Sequence, residues 1–259
     1  MNRIEKTFKK LKAQNKKAFI PYIMAGDPSI EKTKEIVLMI EECGADIVEI
    51  GVPFTDPLAD GPTIQRAAER ALKNGVTLKK VISLVKDLRQ KAKIPLVLMT
   101  YYNPVFKYGE ERFVADAKDA GVDGVIIPDL PPDEAGKFIR LAKNAALASI
   151  FLLAPTSTDE RIKKVASAST GFIYYVSITG ITGARLLLDG SIEKSINGIR
   201  GITDKPIAVG FGISTPYEAK TVADVSDGVI IGSAIVKKAQ GSLDKELRNF
   251  LLTLREAIK

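Results

Sequence analysis

The stretch DIVEIGVPFTDPLADGPTIQRA, residues 46–67, contains a short apolar run, a long loop and the start of an amphipathic segment. The apolar run is continuous rather than alternating, which is typical of a parallel strand buried on both faces. Seven comparable runs occur elsewhere in the chain, and amphipathic segments separate them. The predicted strands are residues 18–24, 46–51, 95–100, 124–127, 148–153, 172–176, 207–209 and 228–231.

Eight strands that alternate with helices predict an α/β fold, a single (β/α)8 TIM barrel that spans residues 1–259. The length of 259 residues suits one such domain. A doubly wound open sheet is the alternative. Neither a GxGxxG sequence nor a P-loop sequence follows a strand, so this alternative lacks its nucleotide-binding fingerprint.

The composition restricts the chemistry. The chain has one cysteine, Cys43, and no histidine. An intrachain disulfide, a histidine base, a serine–histidine nucleophile pair and a histidine-ligated zinc ion are therefore excluded. Acid–base chemistry must use Asp, Glu, Lys or Tyr. We expect Cys43 to be a small core residue.

The positive charge is concentrated at the N-terminus. Residues 1–17 carry a net charge of +6 out of +7 for the whole chain. In residues 1–12, Ile4, Phe8 and Leu11 follow helical spacing, which predicts an extra helix that packs on the barrel and leaves its lysines in water. One short basic helix is not the broad basic face of a nucleic-acid-binding protein.

The sequence also bears on the compartment. No apolar segment follows the N-terminal charges, so we expect no secretory signal. No run of 18 apolar residues is present, so we expect no membrane span. The cysteine usage fits a reducing compartment. We therefore expect a cytoplasmic protein.

Glu49 is an acidic residue inside the second predicted strand. By the period of two, it shares one face of that strand with Ile47 and Gly51. Burial raises the pKa of an unpaired carboxyl group toward neutrality, where the group can both donate and accept a proton. The alternative is a structural glutamate paired with a lysine from a neighbouring strand. No other strand core offers an obvious Lys or Arg, so we favour a catalytic role.

The loop after this strand, VPFTDPLADGP at residues 52–62, is long for a strand–helix connection. Active sites of barrels lie at the carboxyl ends of the strands, where long loops are commonly functional. Asp56 and Asp60 are also good turn formers. Composition alone favours the turn role, and a catalytic role for Asp60 stays open at this point.

The seventh and eighth strands end in AVGFGIST and VIIGSAIV, residues 208–215 and 229–236. In barrels, these loops commonly bind phosphate through backbone N–H groups at a helix N-terminus. Gly212, Gly232 and Ser233 are the candidates, since a Cβ atom at a glycine would block close approach of the anion. Ordinary tight turns are the alternative. The sixth strand is followed by a Gly/Thr-rich loop, residues 177–190, of the kind that closes over a ligand.

The residues alone thus predict a barrel enzyme that uses carboxyl groups for acid–base chemistry, takes a phosphorylated substrate and holds no metal cluster. Tyr101 and Tyr102 follow the third strand. Spacing does not decide whether they contact a ligand or a partner, so they have no predicted role.

Seven segments, in order from about residue 20 to residue 235, resemble the tryptophan synthase alpha chain family. They are PYIMAGDPS (21–29), DIVEIGVPFTDPLADGPTIQ (46–65), LMTYYNPVF (98–106), IIPDLPPDE (126–134), APTST (154–158), YYVSITGITGAR (174–185) and VGFGIS (209–214). The pattern ExGxPFxDPxADGPxIQ at residues 49–65 is highly specific. Departures from the family pattern, such as Met24 and Thr100, leave Glu49 and Asp60 intact.

The resemblance implies a retro-aldol lyase reaction, the alpha reaction of the last step of tryptophan biosynthesis. It cleaves indole-3-glycerol phosphate to indole and D-glyceraldehyde 3-phosphate. Glu49 would be the general acid and base that protonates indole C3 and takes the proton from the hydroxyl that becomes the aldehyde. Asp60 would accept a hydrogen bond from the indole N–H and stabilise the positive charge on the ring, which is electrostatic stabilisation that grows in the transition state.

The resemblance also implies binding residues. Thr182 would close on Asp60, and Gly183, Gly212, Gly232 and Ser233 would hold the phosphate. The candidates for the indole pocket are Tyr22, Tyr174 or its neighbour Tyr175, Phe211 and Ile231.

Members of this family act as an α2β2 complex, in which the beta chain carries pyridoxal phosphate and joins indole to serine. The resemblance therefore implies a beta chain as partner, and no cofactor or metal in this chain. The residues expected to face the beta chain are Pro53, Asp56, Asn103, Pro104 and Phe106.

Other functional classes remain as alternatives. A related barrel enzyme, such as indole-glycerol phosphate synthase or an isomerase of histidine or tryptophan synthesis, would place a lysine or a pair of aspartates at its strand ends. No predicted strand core carries a lysine. A non-catalytic barrel that serves as a binding subunit would not need both carboxyl groups.

Overall fold

The structure, a computed structural model, describes residues 2–177, 190–210, 212–241 and 244–259. Each pair of neighbouring strands is parallel. The strands are Ala18–Met24, Val48–Gly51, Leu96–Met99, Gly124–Ile126, Ala148–Ile150, Leu152–Leu153, Ile173–Val176, Ile207–Gly210 and Gly228–Ile231.

The sheet closes into a cylinder. Its strand order begins with Ala148–Ile150 and ends with Leu152–Leu153, two segments that Phe151 joins in the chain. They are the halves of the predicted fifth strand, one paired with the fourth strand and the other with the sixth. The carbonyl oxygen of Phe151 accepts a hydrogen bond of 3.1 Å from the N–H of Tyr174, which continues the pairing across the break. The nine segments therefore form eight strands, and the predicted TIM barrel is confirmed.

Several strands are shorter than predicted. The second begins at Val48 rather than at residue 46. The carboxylate of Asp46 accepts a hydrogen bond of 2.9 Å from the N–H of Phe19 and forms an ion pair of 2.8 Å with Arg255. Asp46 thus lies just before the second strand and links it to the first strand and to the last helix.

Local side-chain bonds define where several helices begin. Ser29, Thr77, Thr158 and Thr215 each accept a hydrogen bond from the backbone N–H three residues later. Within the described part of the chain, no helix is both long and apolar enough to span a membrane. The helices of that part are Arg3–Ala13, Ile30–Glu42, Pro62–Lys73, Leu78–Leu88, Tyr102–Tyr108, Glu110–Ala120, Gly136–Asn144, Asp159–Ala168, Ser191–Arg200, Pro216–Val225, Ser233–Ala239 and Asp244–Ala257.

The first helix buries its apolar face, which consists of Ile4, Phe8 and Leu11. The ring of Phe8 lies 5.5 Å from the ring of Phe172, and Arg3 forms an ion pair of 2.9 Å with Asp123. Both contacts are made just before a strand begins. The helix therefore covers the amino end of the barrel and leaves the carboxyl end open for a site.

Candidate active site

The carboxyl ends of the strands surround a cavity of about 290 Å³. The first three and the last three strands, with the segments that follow them, supply its walls. The lining residues are Tyr22, Glu49, Asp60, Gly61, Ile64, Met99, Tyr174, Gly212, Ile213, Ser214, Ile230, Gly232 and Ser233.

Glu49 lies on the second strand, where the register places it between Tyr22 and Val97. It is only 1% exposed. Among the described residues, no group forms a hydrogen bond with either carboxyl oxygen of Glu49, so the alternative of a structural ion pair is wrong. Burial, followed by the charge of Asp60, raises the pKa of Glu49 from 4.5 to about 8. At neutral pH this group therefore holds a proton that it can donate.

Asp60 lies in the loop between the second strand and helix Pro62–Lys73. Its N–H donates to the carbonyl oxygen of Pro57 at 3.0 Å, so the backbone forms a turn. Its side chain lines the cavity, and its Oδ2 accepts a hydrogen bond of 3.1 Å from the hydroxyl of Tyr101. Burial raises the pKa of Asp60 from 3.8 to about 6, and the bond from Tyr101 opposes that rise.

The cavity therefore holds two carboxyl groups in different protonation states at neutral pH. Glu49 is protonated and Asp60 is ionised, because their pKa values lie near 8 and near 6. A pair whose environments separate the two pKa values is suited to divide acid and base roles. Among the described residues, no cluster of three His, Cys, Asp or Glu side chains could hold a metal ion.

Tyr22 and Tyr174 line the cavity near these carboxyl groups. Burial raises the pKa of each tyrosine well above its usual value, and the nearby Glu49 and Asp60 add to the rise, so both hydroxyl groups stay protonated. The hydroxyl oxygen of Tyr174 lies 2.4 Å from the point that a Cβ atom at Gly210 would occupy. A larger residue at that strand end would displace the ring.

The alternation of side chains decides which member of two adjacent pairs faces the cavity. Tyr174 lines it, whereas Tyr175 lines a separate cleft with Lys194 and Ser195. On the eighth strand, Ile230 lines the cavity and Ile231 does not. The expectation for Ile231 is therefore wrong by one residue, because inward-facing positions recur every second residue along a strand.

Gly212, Gly232 and Ser233 lie together on the cavity wall. Gly212 has a φ of +77°, a conformation that favours glycine. Gly232 directly precedes helix Ser233–Ala239. Ser233, the first residue of that helix, also lines the cavity. Thr182, Gly183 and Phe211, which were also predicted to bind the substrate, lie outside the described residues.

The residues expected to face a partner differ in accessibility. Pro53 is buried and Pro104 is half-buried, whereas Asp56 and Asn103 are exposed. Two large apolar side chains of the same segments face solvent, since Phe106 is 66% exposed and Leu58 is 91% exposed. Sequence analysis did not single out Leu58, because one leucine in a loop carries no periodic signal.

Comparisons with known proteins agree with this geometry. The model of the family described as "Tryptophan synthase alpha chain" matches residues 8–256. The alpha chain of Geotalea daltonii is 51% identical over 259 residues, which cover 100% of this chain and 98% of the relative. The alpha chain of Thermoanaerobacter pseudethanolicus is 48% identical over 263 residues, which cover 100% of both chains.

Solved structures show the same likeness. The tryptophan synthase subunit alpha of Legionella pneumophila is 38% identical, with a TM-score of 0.92 over 100% of this chain and 98% of that chain. A chain of Mycobacterium tuberculosis tryptophan synthase is 37% identical, with a TM-score of 0.92 over 99% of this chain and 98% of that chain.

Proposed function

Because the chain belongs to the tryptophan synthase alpha chain family, we propose that Glu49 and Asp60 are the catalytic residues of that family's alpha reaction. The chain is the lyase that cleaves indole-3-glycerol phosphate to indole and D-glyceraldehyde 3-phosphate in the last step of tryptophan biosynthesis.

Glu49 moves the protons. In its protonated form it donates a proton to indole C3, which forms the C3–H bond and places positive charge on the ring. The resulting carboxylate then takes the proton from the hydroxyl group on the carbon attached to C3. The bond between that carbon and C3 breaks, its electron pair returns to the ring, and the oxygen becomes the carbonyl oxygen of the aldehyde. Glu49 is protonated again at the end.

Asp60 stabilises the charge that develops between these two proton transfers. Its ionised carboxylate accepts a hydrogen bond from the indole N–H, which becomes more acidic once C3 is protonated. The attraction therefore strengthens as the reaction proceeds, and an interaction that strengthens in the transition state raises the rate.

A single observation supports these roles best. Glu49 is buried, without a described hydrogen-bond partner, in the same cavity as Asp60. Leaving a buried carboxyl group without a partner costs folding free energy, so stability does not explain this arrangement. A group that must release and recover a proton in each turnover does explain it.

Glu49→Gln tests the proposal, because it keeps the shape of the side chain and removes its proton transfer. We expect indole release from indole-3-glycerol phosphate to slow by about 10²–10⁴-fold, with an unchanged circular dichroism spectrum. Glu246→Gln, an exposed residue of the last helix, is the matched control and should keep full activity. Near-normal turnover of Glu49→Gln would disprove the assignment.

The remaining parts of the substrate are assigned to the other walls of the cavity. Tyr22 and Tyr174 would contact the indole ring, and Gly212, Gly232 and Ser233 would bind the phosphate. The position of these three residues after the seventh and eighth strands supports the second assignment, because barrels commonly bind phosphate there. On sequence resemblance alone, we also propose that Thr182 closes on Asp60, that Gly183 binds the phosphate and that Phe211 contacts the indole ring.

The chain assembles with the tryptophan synthase beta chain in an α2β2 complex, and pyridoxal phosphate belongs to the beta chain. We propose that the beta chain contacts Pro53, Asp56, Asn103, Pro104 and Phe106. The exposure of Phe106 supports this assignment, since large apolar side chains in solvent commonly mark interfaces. We further propose that residues 1–259 fold as one domain and act in the cytoplasm.

A further inference from the structure

Tyr101 connects the third strand to the loop that carries Asp60. It lies just beyond strand Leu96–Met99 and is 3% exposed. Its hydroxyl accepts a hydrogen bond of 3.0 Å from the N–H of Ala59 and donates one of 3.1 Å to Oδ2 of Asp60. The Tyr101 hydroxyl has one proton, which it donates to Asp60, and its lone pairs accept the bond from Ala59. The two bonds together fix the orientation of the hydroxyl group.

The ring of Tyr101 holds the other end of the same loop. Its centroid lies 5.3 Å from that of Phe54, with the two planes tilted by 32°. Phe54 lies near the start of the loop, and Ala59 and Asp60 lie near its end. One side chain therefore contacts both ends of the segment that presents the carboxylate, and it restricts the rotation of the carboxyl group through the bond to Oδ2.

We propose that Tyr101 is a positioning residue for the alpha reaction, which holds the Asp60 carboxylate where it meets the indole N–H. The proposal rests on the role of Asp60 proposed above. Tyr101 is absent from the described lining of the cavity, so it reaches the reacting atoms through Asp60.

The electrostatics of the cavity give this bond a second effect. The charge of Asp60 acts on three cavity residues. They are Glu49 on the second strand, Tyr22 on the first strand and Tyr174 on the sixth. Burial disfavours the ionised form of Asp60, and the bond from Tyr101 favours it. Burial and the charge of Asp60, with a smaller contribution from Asp129 after the fourth strand, raise the pKa of Tyr101 above its usual value, so its hydroxyl keeps the proton. Tyr101 thus maintains both the orientation and the charge of Asp60.

Tyr101→Phe tests the proposal, because it removes the hydroxyl group and keeps the ring against Phe54. We expect kcat/KM for indole-3-glycerol phosphate to fall by about 10-fold or more, as is typical when a hydrogen bond to a charged group is lost. The acid limb of the pH profile should move to higher pH, because Asp60 loses a donor that favours ionisation. The control is Tyr108→Phe, which removes a hydroxyl bonded at 2.5 Å to Asp116 on the barrel surface.

A double-mutant cycle separates positioning from a general structural role. In the Asp60→Asn background, Tyr101→Phe should cause little further loss, because the group it positions is no longer a carboxylate. If the losses of kcat/KM caused by the two substitutions multiply in the double variant, the positioning role of Tyr101 is wrong. The same follows if the pH profile of Tyr101→Phe equals that of Tyr108→Phe. Neither result affects the proposed role of Asp60. A mild effect of Asp60→Asn by itself would instead overturn the proposed function of Asp60.

Discussion

The hydroxyl oxygen of Tyr22 lies 2.0 Å from the point that a Cβ atom at Gly51 would occupy. The two residues belong to neighbouring strands, and Tyr22 is the register partner of Glu49, two residues before Gly51. A side chain at position 51 would therefore displace an aromatic ring that lines the cavity beside Glu49. Glycine at this strand end leaves room for the Tyr22 ring in its present position.

Gly51→Ala should consequently reduce kcat/KM by about 10–100-fold, because a displacement of about 1 Å in a reacting geometry has effects of this size. Steady-state assays of indole release measure the loss. Gly198→Ala, in helix Ser191–Arg200, is the matched control, since a Cβ atom there meets nothing within 4 Å. Equal kinetics for the two variants would mean that Tyr22 does not shape the site.

The two carboxyl groups predict a bell-shaped pH profile of kcat/KM. Activity should fall above about pH 8 as Glu49 loses its proton, and below about pH 6 as Asp60 gains one. Asp60→Asn should be nearly as damaging as Glu49→Gln, and its residual activity should keep the alkaline limb and lose the acid limb. A flat wild-type profile between about pH 5 and about pH 9 would contradict both assignments.

Glu49 should also make the free energy of unfolding depend on pH. Its pKa is about 8 in the folded chain and 4.5 in water, so between these values the folded state binds the additional proton. The free energy of unfolding should therefore fall as pH rises through this window, by at most about 1.4 kcal/mol per pH unit. Urea titrations of the wild type and Glu49→Gln isolate this contribution, and a difference independent of pH would refute it.

Phe106→Ala should weaken binding of the beta chain by about fivefold or more, because large apolar anchors belong to the minority of interface residues whose truncation costs more than about 1 kcal/mol. Calorimetric titration with the beta chain measures the change in Kd. Leu252→Ala provides the comparison, since Leu252 is also exposed but lies on the last helix, beyond the proposed interface. The same Kd for all three proteins would place the interface elsewhere.

Deletion of residues 1–12 should reduce stability rather than anion binding. Ile4, Phe8 and Leu11 are buried, and each such side chain contributes about 1.5–3 kcal/mol when removed from water. The loss is comparable to the whole stability of many domains, so a milder variant, Phe8→Ala, should show a clearly lower Tm. Replacing the exposed Lys6, Lys9 and Lys12 with Gln should leave Tm unchanged. A larger effect of the lysine changes than of Phe8→Ala would reverse this interpretation.

The barrel could be predicted from the sequence because strands buried on both faces leave continuous apolar runs. Strand ends were less predictable. The second strand begins at Val48, and just before it the side chain of Asp46 bonds to Phe19 and Arg255, partners that lie far away in the sequence. The interruption of the fifth strand at Phe151 likewise depends on its two neighbours, which no local pattern records.

The residues of the candidate site also differ in how far the sequence predicts them. Glu49 was predictable because a carboxyl group inside an apolar run violates the pattern. The role of Tyr101 was not, since its bond to Asp60 spans 41 residues and exists only once the loop folds over the third strand. The choice between Tyr174 and Tyr175 required the register with strand Ile207–Gly210, which is a property of the assembled sheet.

The closure of the sheet through Phe151 affects how readily the chain can aggregate before it binds the beta chain. Seven of the eight described strands are paired along both of their edges, and the fifth is paired on one edge by Ala148–Ile150 and on the other by Leu152–Leu153. Unpaired edges are the templates on which one polypeptide adds to another and fibrils grow. A newly made copy that has not yet bound its beta chain therefore exposes apolar side chains such as Leu58 and Phe106, whereas among its described strands only the two short halves of the fifth have an edge without a strand partner.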